Sequence, residues 1–418
     1  MKICIMTLGS RGDVQPYVAL AKELIKRKHN VVICTGESFK SFIEEQGITF
    51  NRAESDLMAM IKTPQGQAAL SGGLGSIIKT LKYAKEVVNP AFRRSLDDFW
   101  QSAQGADVII YHPKVLAAVD MAQMLNAVCI SMPPIPITYP TTEFPNLAIA
   151  STLNWGKALN KMTYKLVEKA DIANMKEIND FRIKTLGLKK RKAGVFSYKN
   201  GVEWIPIIYP VSPSLFKDVT SWNGRVLLPG FFFLDSKNEK LDEELECFLK
   251  NGEKPIVISF SSMPLKQPEV FRDKLIMALQ ETDNRVVILT GTSGLVIQNN
   301  QNIFAIEQAP HSLLFPRAKG IVHHGGVGTL AAALCSGVPQ LIIPFSVDQP
   351  FWANRLYKLG YALKPLREGT LTVNELKRAF AEMENDSIIE NAQEIMNIIS
   401  HENGVENAAN YIEDLCEN

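Results

Sequence analysis

Short apolar runs alternate with helically periodic segments through the first part of the chain. Lys2 to Leu8, Val31 to Thr35 and Ile48 to Phe50 are almost continuously apolar, as strands buried on both faces of a sheet are. Between the first two runs, apolar residues from Val18 to Ile25 recur at the spacing of one helix face. This β-α-β-α-β order predicts a doubly wound parallel sheet, because parallel strands need helical crossovers between them.

The same alternation returns in the second half, so the chain predicts two doubly wound, Rossmann-like α/β domains that face a cleft. Pro255 to Ser259 opens a second series of apolar strands, and Gly320 to His324 belongs to it. Between the halves, Ile205 to Phe233 is rich in proline, glycine and aromatic residues, and we place the domain junction there. The expected units are residues 1–215, residues 216–390 and a closing helical segment at 391–418.

Charge and cysteine content narrow the class of protein. The 45 basic and 44 acidic residues give a net charge of +1, which excludes a general electrostatic field for nucleic acid. The six cysteines form no C-x-x-C pair, and no apolar window approaches the roughly 20 residues of a membrane-spanning helix. We therefore expect a cytoplasmic protein. The basic run from Lys189 to Lys192 fits a solvated helix end or loop, with peripheral contact to anionic lipid headgroups as the alternative.

A glycine turn in the second half carries the clearest candidate chemistry. The strand that ends at His324 is followed by Gly325, Gly326 and Gly328, where we expect a Cβ to obstruct the turn. The next helix begins with unpaired N–H groups, and its dipole favours a phosphate or diphosphate. His324 at the mouth of the turn and the hydroxyl of Thr329 add two hydrogen-bond donors.

Polar side chains also follow the next predicted strand, Gln340 to Phe345. That strand ends in Ser346-Val347-Asp348-Gln349. Open α/β sheets bind ligands at the carboxyl ends of their strands. Asp348 and Gln349 therefore suit the hydroxyl groups of a sugar.

Three elements in this region follow one another over a short span: Ala309-Pro310-His311, His323 to Thr329, and Asp348 to Asn354. Together they resemble the donor-binding signature of the GT-B glycosyltransferases of family 1, most closely the branch of sterol glucosyltransferases and glycopeptide-antibiotic glycosyltransferases. The resemblance implies a GT-B fold, a last helix that crosses back to the first domain, and a nucleotide-sugar donor. It implies that the first element meets the nucleoside, the second the diphosphate and the third the sugar. The donor-binding residues implied are Ala309, His311, His324, Gly326, Gly328, Thr329, Asp348 and Gln349.

Asp13 is the candidate catalytic residue, in the turn Gly9-Ser10-Arg11-Gly12-Asp13 after the first strand. From the residues alone, a helix N-cap is an equally good interpretation, with Pro16 in the first turn. The same family branch carries this motif, and there the aspartate stands where other members have a catalytic histidine. The resemblance thus implies a general base for an acceptor hydroxyl, with a pKa best raised by a poorly solvated pocket. Ser10 and Arg11 would contact the donor or orient the loop, and an exposed salt bridge is the alternative for Arg11.

The reaction implied is inverting transfer of a hexose, most simply glucose from UDP-glucose, to a hydroxyl of a lipophilic acceptor of the sterol, terpenoid, polyketide or flavonoid type. The sequence has no Asp-x-Asp pair, so we expect neither a metal nor another cofactor. Gln308 stands where many plant relatives have a base-stacking tryptophan, and Ala332 where they have a ribose-binding glutamate. TDP therefore stays open beside UDP. Ser261, where relatives have glycine, is a further candidate phosphate contact.

Two apolar stretches are candidate walls of an acceptor site. They are residues 57–61, which core packing explains equally well, and the proline-rich loop from Met132 to Pro140, which an ordinary connector explains equally well. His323 fits packing better than binding, and the sequence gives no functional role to His29, His112 or His401.

Other classes of function compete with this reading of the sequence. A TDP-sugar-dependent antibiotic glycosyltransferase, a nucleotide-sugar epimerase of the same fold and a non-catalytic nucleotide-sugar-binding partner protein all share parts of the pattern. A dinucleotide oxidoreductase is disfavoured, because Gly9 and Gly12 lack the middle glycine of G-x-G-x-x-G.

Overall fold

Two parallel β-sheets form the framework of the protein in the computed structural model. The structure describes residues 1–56, 59, 87–149, 152, 154–195, 198–200, 203–234, 239–260, 264–345 and 347–417. Its strands are β1 Lys2–Met6, β2 Asn30–Gly36, β3 Thr49–Ala53, β4 Val108–Tyr111, β5 Val128–Ser131, β6 Lys199–Asn200, β7 Glu203–Trp204, β8 Ile207–Ile208, β9 Val226–Leu227, β10 Ile256–Ser259, β11 Val286–Leu289, β12 Ile303–Ile306, β13 Gly320–His323 and β14 Gln340–Ile342.

Helices cover both faces of each sheet, as parallel sheets require. In the first domain they are α1 Arg11–Lys26, α2 Lys40–Glu44, α3 Asn89–Ala103, α4 Ala118–Leu125, α5 Lys157–Val167 and α6 Met175–Lys184. The later helices are α7 Glu243–Lys250, α8 Pro268–Thr282, α9 His311–Leu314, α10 Val327–Ser336, α11 Gln349–Leu359, α12 Val373–Glu382, α13 Asp386–Ser400 and α14 Gly404–Glu417.

The first sheet has the strand order β3-β2-β1-β4-β5-β8-β9, and its described pairs are parallel. β1 lies near its middle and shows why the chain folds this way. Ile3 and Ile5 pack into one core, whereas Cys4 and Met6 pack into the core on the opposite face. The two-residue period of a strand thus fills both layers, and the predicted doubly wound sheet is confirmed.

The second sheet has the order β12-β11-β10-β13-β14, again with parallel pairs. β10 and β13 are its central strands and are fully buried. Since parallel strands expose their carboxyl ends at one edge, the ends of β10, β13 and β14 lie together. The α/β class predicted from the sequence is confirmed for both domains.

The stretch between the domains contributes to the first sheet. β8 and β9 lie inside the region from Ile205 to Phe233, so the first sheet extends to Leu227, beyond residue 215 where the sequence placed the boundary. Each of these strands has only two residues, too few to show a period in a proline-rich sequence.

The closing helical segment expected at 391–418 falls on two helices, α13 and α14. α13 packs against α10 in the second domain, and α14 packs against α1 in the first. Glu413 on α14 accepts from Arg27 at 2.7 Å and from His29 Nε2 at 2.8 Å. The chain therefore crosses between the domains at residues 401–403, and His29 helps to fasten the crossing helix.

The basic run from Lys189 to Lys192 is not a uniformly solvated surface. The Arg191 side chain is buried and bonds to Asp120 at 2.9 Å and to Asp171 at 2.6 Å. Arg182 pairs with the same Asp120 carboxylate. The expectation of a solvated run is wrong at Arg191, because two buried carboxylates on other elements supply its partners.

The proline-rich loop after β5 contains no strand, as its prolines predict. Beyond it, Phe144 packs against Phe351 of α11 with tilted rings, whose centroids lie 4.9 Å apart. This contact belongs to an apolar cluster that joins the two domains. Of the segment 57–61, only Ala59 lies within the described residues.

In the part of the chain that the structure describes, every helix is too short or too polar to cross a membrane.

Candidate active site

The turn after β1 presents the Asp13 carboxylate, and three neighbouring residues hold it. Asp13 Oδ2 accepts from the Ser10 N–H at 2.7 Å, the Ser10 hydroxyl at 3.0 Å and Lys114 Nζ at 3.0 Å. Its Oδ1 accepts from His112 Nε2 at 3.1 Å. Ser10 is the N-cap of α1, which puts Asp13 third in the helix and Pro16 inside it. The N-cap interpretation of Asp13 is therefore wrong.

His112 is the residue that sequence analysis missed. It directly follows β4, the parallel neighbour of β1, so both strands deliver a side chain to the same edge. That position after a buried strand was the available signal. His112 Nδ1 accepts the Lys114 N–H at 3.0 Å, which leaves the ring proton on Nε2 to donate to Asp13. His112 therefore orients the carboxylate.

The surroundings of Asp13 overturn the expectation of a raised pKa. Burial alone would raise the pKa of Asp13, but the hydrogen bond from His112, the Lys114 charge and the Ser10 N–H bring it well below its ordinary value. Burial lowers the pKa of His112, against the opposing effect of Asp13. Asp13 is consequently an ionised carboxylate and His112 a neutral imidazole at neutral pH.

Arg11 lies beside this turn and forms no salt bridge with any residue that the structure describes, so the alternative of an exposed salt bridge finds no partner there. Its Nε donates to Gln15 at 3.0 Å, and its guanidinium lies 4.2 Å from the centre of the Phe42 ring. Ser10 donates two hydrogen bonds to Asp13 and thereby orients its carboxylate.

The glycine turn after β13 has the predicted strand–turn–helix form. An ideal Cβ on Gly325 would fall 2.8 Å from Ile342 Cγ2, and one on Gly326 would overlap the His324 ring. A Cβ on Gly328 would meet nothing within 4 Å among the described residues. The expected obstruction is thus confirmed for Gly325 and Gly326 and is wrong for Gly328, which faces open space at the start of α10.

The histidines around this turn divide into a core residue and two that border the site. His323 is fully buried; Nδ1 accepts the Gly325 N–H at 3.1 Å and Nε2 bonds to Gln340 Oε1 at 2.8 Å. Burial lowers the pKa of His324 to about 4, and burial with the nearby His324 charge lowers that of His311 to about 4. Both rings are therefore neutral at neutral pH and act through hydrogen bonds.

The rings of His311 and His324 have different surroundings. His311 Nε2 lies 3.2 Å from the Ser259 hydroxyl at the end of β10, and its ring stacks on Phe315. The Nδ1 atom of His324 is buried and makes no hydrogen bond of normal geometry to any described residue. The other ring nitrogen, Nε2, lies against Gly326, the N-cap of α10, so it is this atom that suits a ligand oxygen at the helix N-terminus, where Thr329 also lies.

Asp348 is the N-cap of α11 and Gln349 is its first residue, in the connection that follows β14. Trp352 Nε1 donates to Asp348 Oδ2 at 2.8 Å, one helical turn further on. Gln349 Oε1 accepts the Phe345 N–H at 2.9 Å, so this side chain also fastens the loop. Val347 just before them is exposed and has a φ of +57°, a left-handed conformation that a β-branched residue adopts only under strain.

The two domains bring Asp13 and Asp348 together. Burial raises the pKa of Asp348, the Trp352 hydrogen bond opposes that rise, and the charge of Asp13 adds to it. Two carboxylates far apart in sequence thus lie within electrostatic reach. Ala309 is half-buried in the loop before α9, and Ser261 lies outside the described residues. Among the described residues, no group of three or more His, Cys, Asp or Glu side chains could hold a metal ion.

Comparison with known proteins agrees with this architecture. Residues 3–107 match the glycosyltransferase family 28 N-terminal domain, and residues 273–413 match the erythromycin biosynthesis protein CIII-like C-terminal domain. A sterol 3-beta-glucosyltransferase of Arabidopsis thaliana is 30% identical over 97% of this chain, and one of Komagataella phaffii is 31% identical over 97%. The chain spans 66% and 34% of the lengths of these two relatives, respectively.

Solved structures share the whole architecture. The glycotransferase of kitacinnamycin aligns with a TM-score of 0.71 and 19% identity, covering 99% of this chain and 98% of that one. Two doubly wound α/β domains of this kind are the GT-B architecture. The chain belongs to the GT-B glycosyltransferases of family 1.

Proposed function

We propose that the protein is an inverting glycosyltransferase that transfers glucose from UDP-glucose to a hydroxyl group of a lipophilic acceptor. The sterol 3-beta-glucosyltransferases named above support glucose and a sterol-like acceptor class. The observation that carries the proposal is that Asp13 of the first domain lies within electrostatic reach of Asp348 of the second, whose neighbour Gln349 packs against Gly325 of the glycine turn.

Asp13 takes the acceptor proton in this proposal. The acceptor oxygen attacks the anomeric carbon, a new C–O bond forms, and the bond from that carbon to the diphosphate oxygen breaks. Oδ2 already accepts three hydrogen bonds, whereas Oδ1 accepts one from His112, so Oδ1 is the oxygen that receives the proton. Attack opposite the leaving group turns an α-linked donor into a β-glycoside.

The second domain stabilises the leaving diphosphate. The first N–H groups of α10 carry partial positive charge, and the Thr329 hydroxyl and the His324 imidazole add neutral donors. These groups can offset the developing negative charge, and we therefore propose a reaction that needs no metal ion or other cofactor. Activity that survives EDTA supports this, and activity restored only by Mg²⁺ overturns it.

Gly328→Ala tests the diphosphate site. A methyl group there meets no described protein atom, so the fold should gain slightly from replacing a helical glycine, by up to about 1 kcal/mol in unfolding free energy. The same methyl group fills space assigned to the diphosphate, and we expect UDP affinity to fall about tenfold or more, or about 1.4 kcal/mol. Isothermal titration calorimetry with UDP and thermal unfolding measure the two effects.

Gly369→Ala is the matched control, because Gly369 is exposed and its Cβ also meets nothing within 4 Å. It should leave UDP affinity unchanged. Equal UDP affinity in Gly328→Ala and wild type would remove the diphosphate from the α10 N-terminus.

Lys114→Met tests the electrostatics of the base. Because the Lys114 charge lowers the pKa of Asp13, its loss raises that pKa and moves the acidic limb of the kcat/KM profile to higher pH. In the wild type, Asp13 is ionised throughout the neutral range and imposes no acidic limb there. Lys254→Met, at an exposed lysine before β10, should leave the profile unchanged. An acidic limb that moves to lower pH in Lys114→Met would contradict the role of Asp13 as base, because loss of a positive charge can only raise the pKa of that carboxylate.

Thermal unfolding with UDP, UDP-glucose and TDP-glucose tests the donor assignment. A ligand at about 100 times its Kd adds about 2.7 kcal/mol to the unfolding free energy and raises Tm by several degrees. We expect the largest rise with UDP-glucose. A larger rise with TDP-glucose would assign the chain to TDP-sugar chemistry, and donor binding without transfer to any acceptor would favour a non-catalytic partner protein.

A further inference from the structure

Helix α5 exposes an apolar stripe that no described part of the protein covers. Leu159, Met162 and Leu166 are 48%, 53% and 66% exposed and recur at i, i+3 and i+7. At about 100° per residue they lie within an arc of about 60°. Trp155 before the helix and Ile172 after it are exposed as well. Large apolar side chains grouped in this way on a surface usually mark an interaction site.

A row of lysines runs beside this stripe. Lys157, Lys161 and Lys165 recur at i, i+4 and i+8 on α5, and all three are exposed. Lys169 and Lys176 continue the positive charge past the helix. The acids of the same segment do not neutralise the row, since they are turned towards other partners: Glu168 interacts with Tyr198, and Asp171 bonds to Arg191.

The opposite side of α5 borders a cavity of about 110 Å³. Tyr164 and Val167 line it together with Tyr111 and Ser131, which end β4 and β5. His112, the partner of Asp13, is the residue after Tyr111. The helix with the exposed stripe is therefore also a wall of a cavity at the carboxyl ends of β4 and β5, lined by the two neighbours of His112, Tyr111 and Pro113. The Tyr164 hydroxyl is buried there and has no partner among the described residues.

We propose that α5 docks the protein on the surface of an anionic lipid bilayer, with the stripe of Leu159, Met162 and Leu166 in the headgroup region. An exposed apolar stripe with a row of lysines to one side of it is the pattern of a helix that lies in the plane of a membrane interface. The lysine row favours anionic headgroups. A second copy of this chain is a poorer occupant, because a two-fold contact would bring lysine rows together.

The proposal that α5 docks on a membrane is argued from the exposed residues alone. The purpose of docking, access to a lipophilic acceptor, depends on the proposed function. A lipophilic hydroxyl compound dissolves in the bilayer and not in water. Docking through α5 would hold one wall of the cavity against the bilayer from which such an acceptor comes. Vesicle binding and sugar transfer can be measured separately, so failure of one is distinguishable from failure of the other.

Vesicle flotation tests the proposal, with phosphatidylcholine vesicles that either contain or lack phosphatidylserine. We expect the wild-type protein to float with the anionic vesicles, and added salt to release it. The triple variant Leu159→Gln, Met162→Gln, Leu166→Gln should no longer float. Because these side chains are exposed, its Tm and its UDP affinity should stay at the wild-type values.

A charge variant and two controls complete the test. Replacing Lys157, Lys161 and Lys165 by glutamine should weaken partitioning on the order of a hundredfold. The controls make equal changes at exposed sites in the second domain and should float as the wild type does. They replace Val270, Met277 and Val296, or Lys240, Lys254 and Lys358, by glutamine.

Three results would overturn the proposal. The wild-type protein could fail to float with anionic vesicles, or the triple variant could float as well as the wild type. In a third outcome, ultracentrifugation shows a wild-type dimer that the triple variant abolishes, without vesicle binding; the face is then a contact between copies.

Discussion

Asp13→Asn is expected to lower kcat by about 10²–10⁴-fold, the usual contribution of a general base. Asparagine keeps the shape of the side chain and can still accept from the Ser10 N–H, so the start of α1 should remain folded. The donor diphosphate is proposed to bind to the second domain, and UDP affinity should therefore stay within about twofold of the wild type. Steady-state kinetics and calorimetry with UDP measure these quantities.

Asp273→Asn is the matched control for this substitution. Asp273 is exposed on α8, and its loss should leave both kcat and UDP affinity unchanged. If Asp13→Asn keeps kcat near the wild-type value, Asp13 is not the base. A structural role in capping α1 would instead show as a lower Tm without a change in kcat.

Gly9→Ala should reproduce much of the Asp13→Asn defect without altering the carboxylate chemically. Gly9 has a φ of +147°, and an added Cβ would lie 2.7 Å from Asp13 Cβ and overlap its carboxylate. The carboxylate must therefore move, and displacement of a reacting group by about 1 Å can lower a rate by about 10²-fold. We expect kcat to fall by about 10²-fold and UDP affinity to stay unchanged. Steady-state kinetics and calorimetry with UDP measure the two quantities.

Gly12→Ala supplies the control from the same turn. Its added Cβ would lie 3.8 Å from Ser10 Oγ, an ordinary van der Waals contact, and Gly12 has no left-handed backbone. Its kcat should remain close to the wild-type value. Equal defects in the two variants would show that any change to this turn is harmful and would remove the specific argument for Asp13.

The fold was largely predictable because both sheets are parallel and buried. Their strands are continuous apolar runs, and the helices between them keep a helical period. β8 and β9 were missed because two residues carry no period. The break between α13 and α14 was missed because apolar residues continue on both sides of residues 401–403.

The candidate site was predictable only where a local motif defines it. The glycine turn and the turn that contains Asp13 are each formed by consecutive residues, so a local motif identifies them. His112 and Lys114, in contrast, contact Asp13 from the end of a neighbouring strand, about 100 positions later in the sequence. The same long-range contacts reverse the direction of the Asp13 pKa, which no local pattern encodes. Arg191 similarly owes its burial to Asp120 and Asp171 on other elements.

The anomeric configuration of the product tests the central claim most directly. The protein is incubated with UDP-glucose, whose glucose is α-linked, and a sterol with a free hydroxyl, in the presence of EDTA. NMR of the isolated product then reports the configuration at the anomeric carbon. The account predicts a β-glucoside with wild-type protein and almost none with Asp13→Asn. An α-glucoside, or equal yields from the two proteins, would contradict inverting transfer with Asp13 as the base.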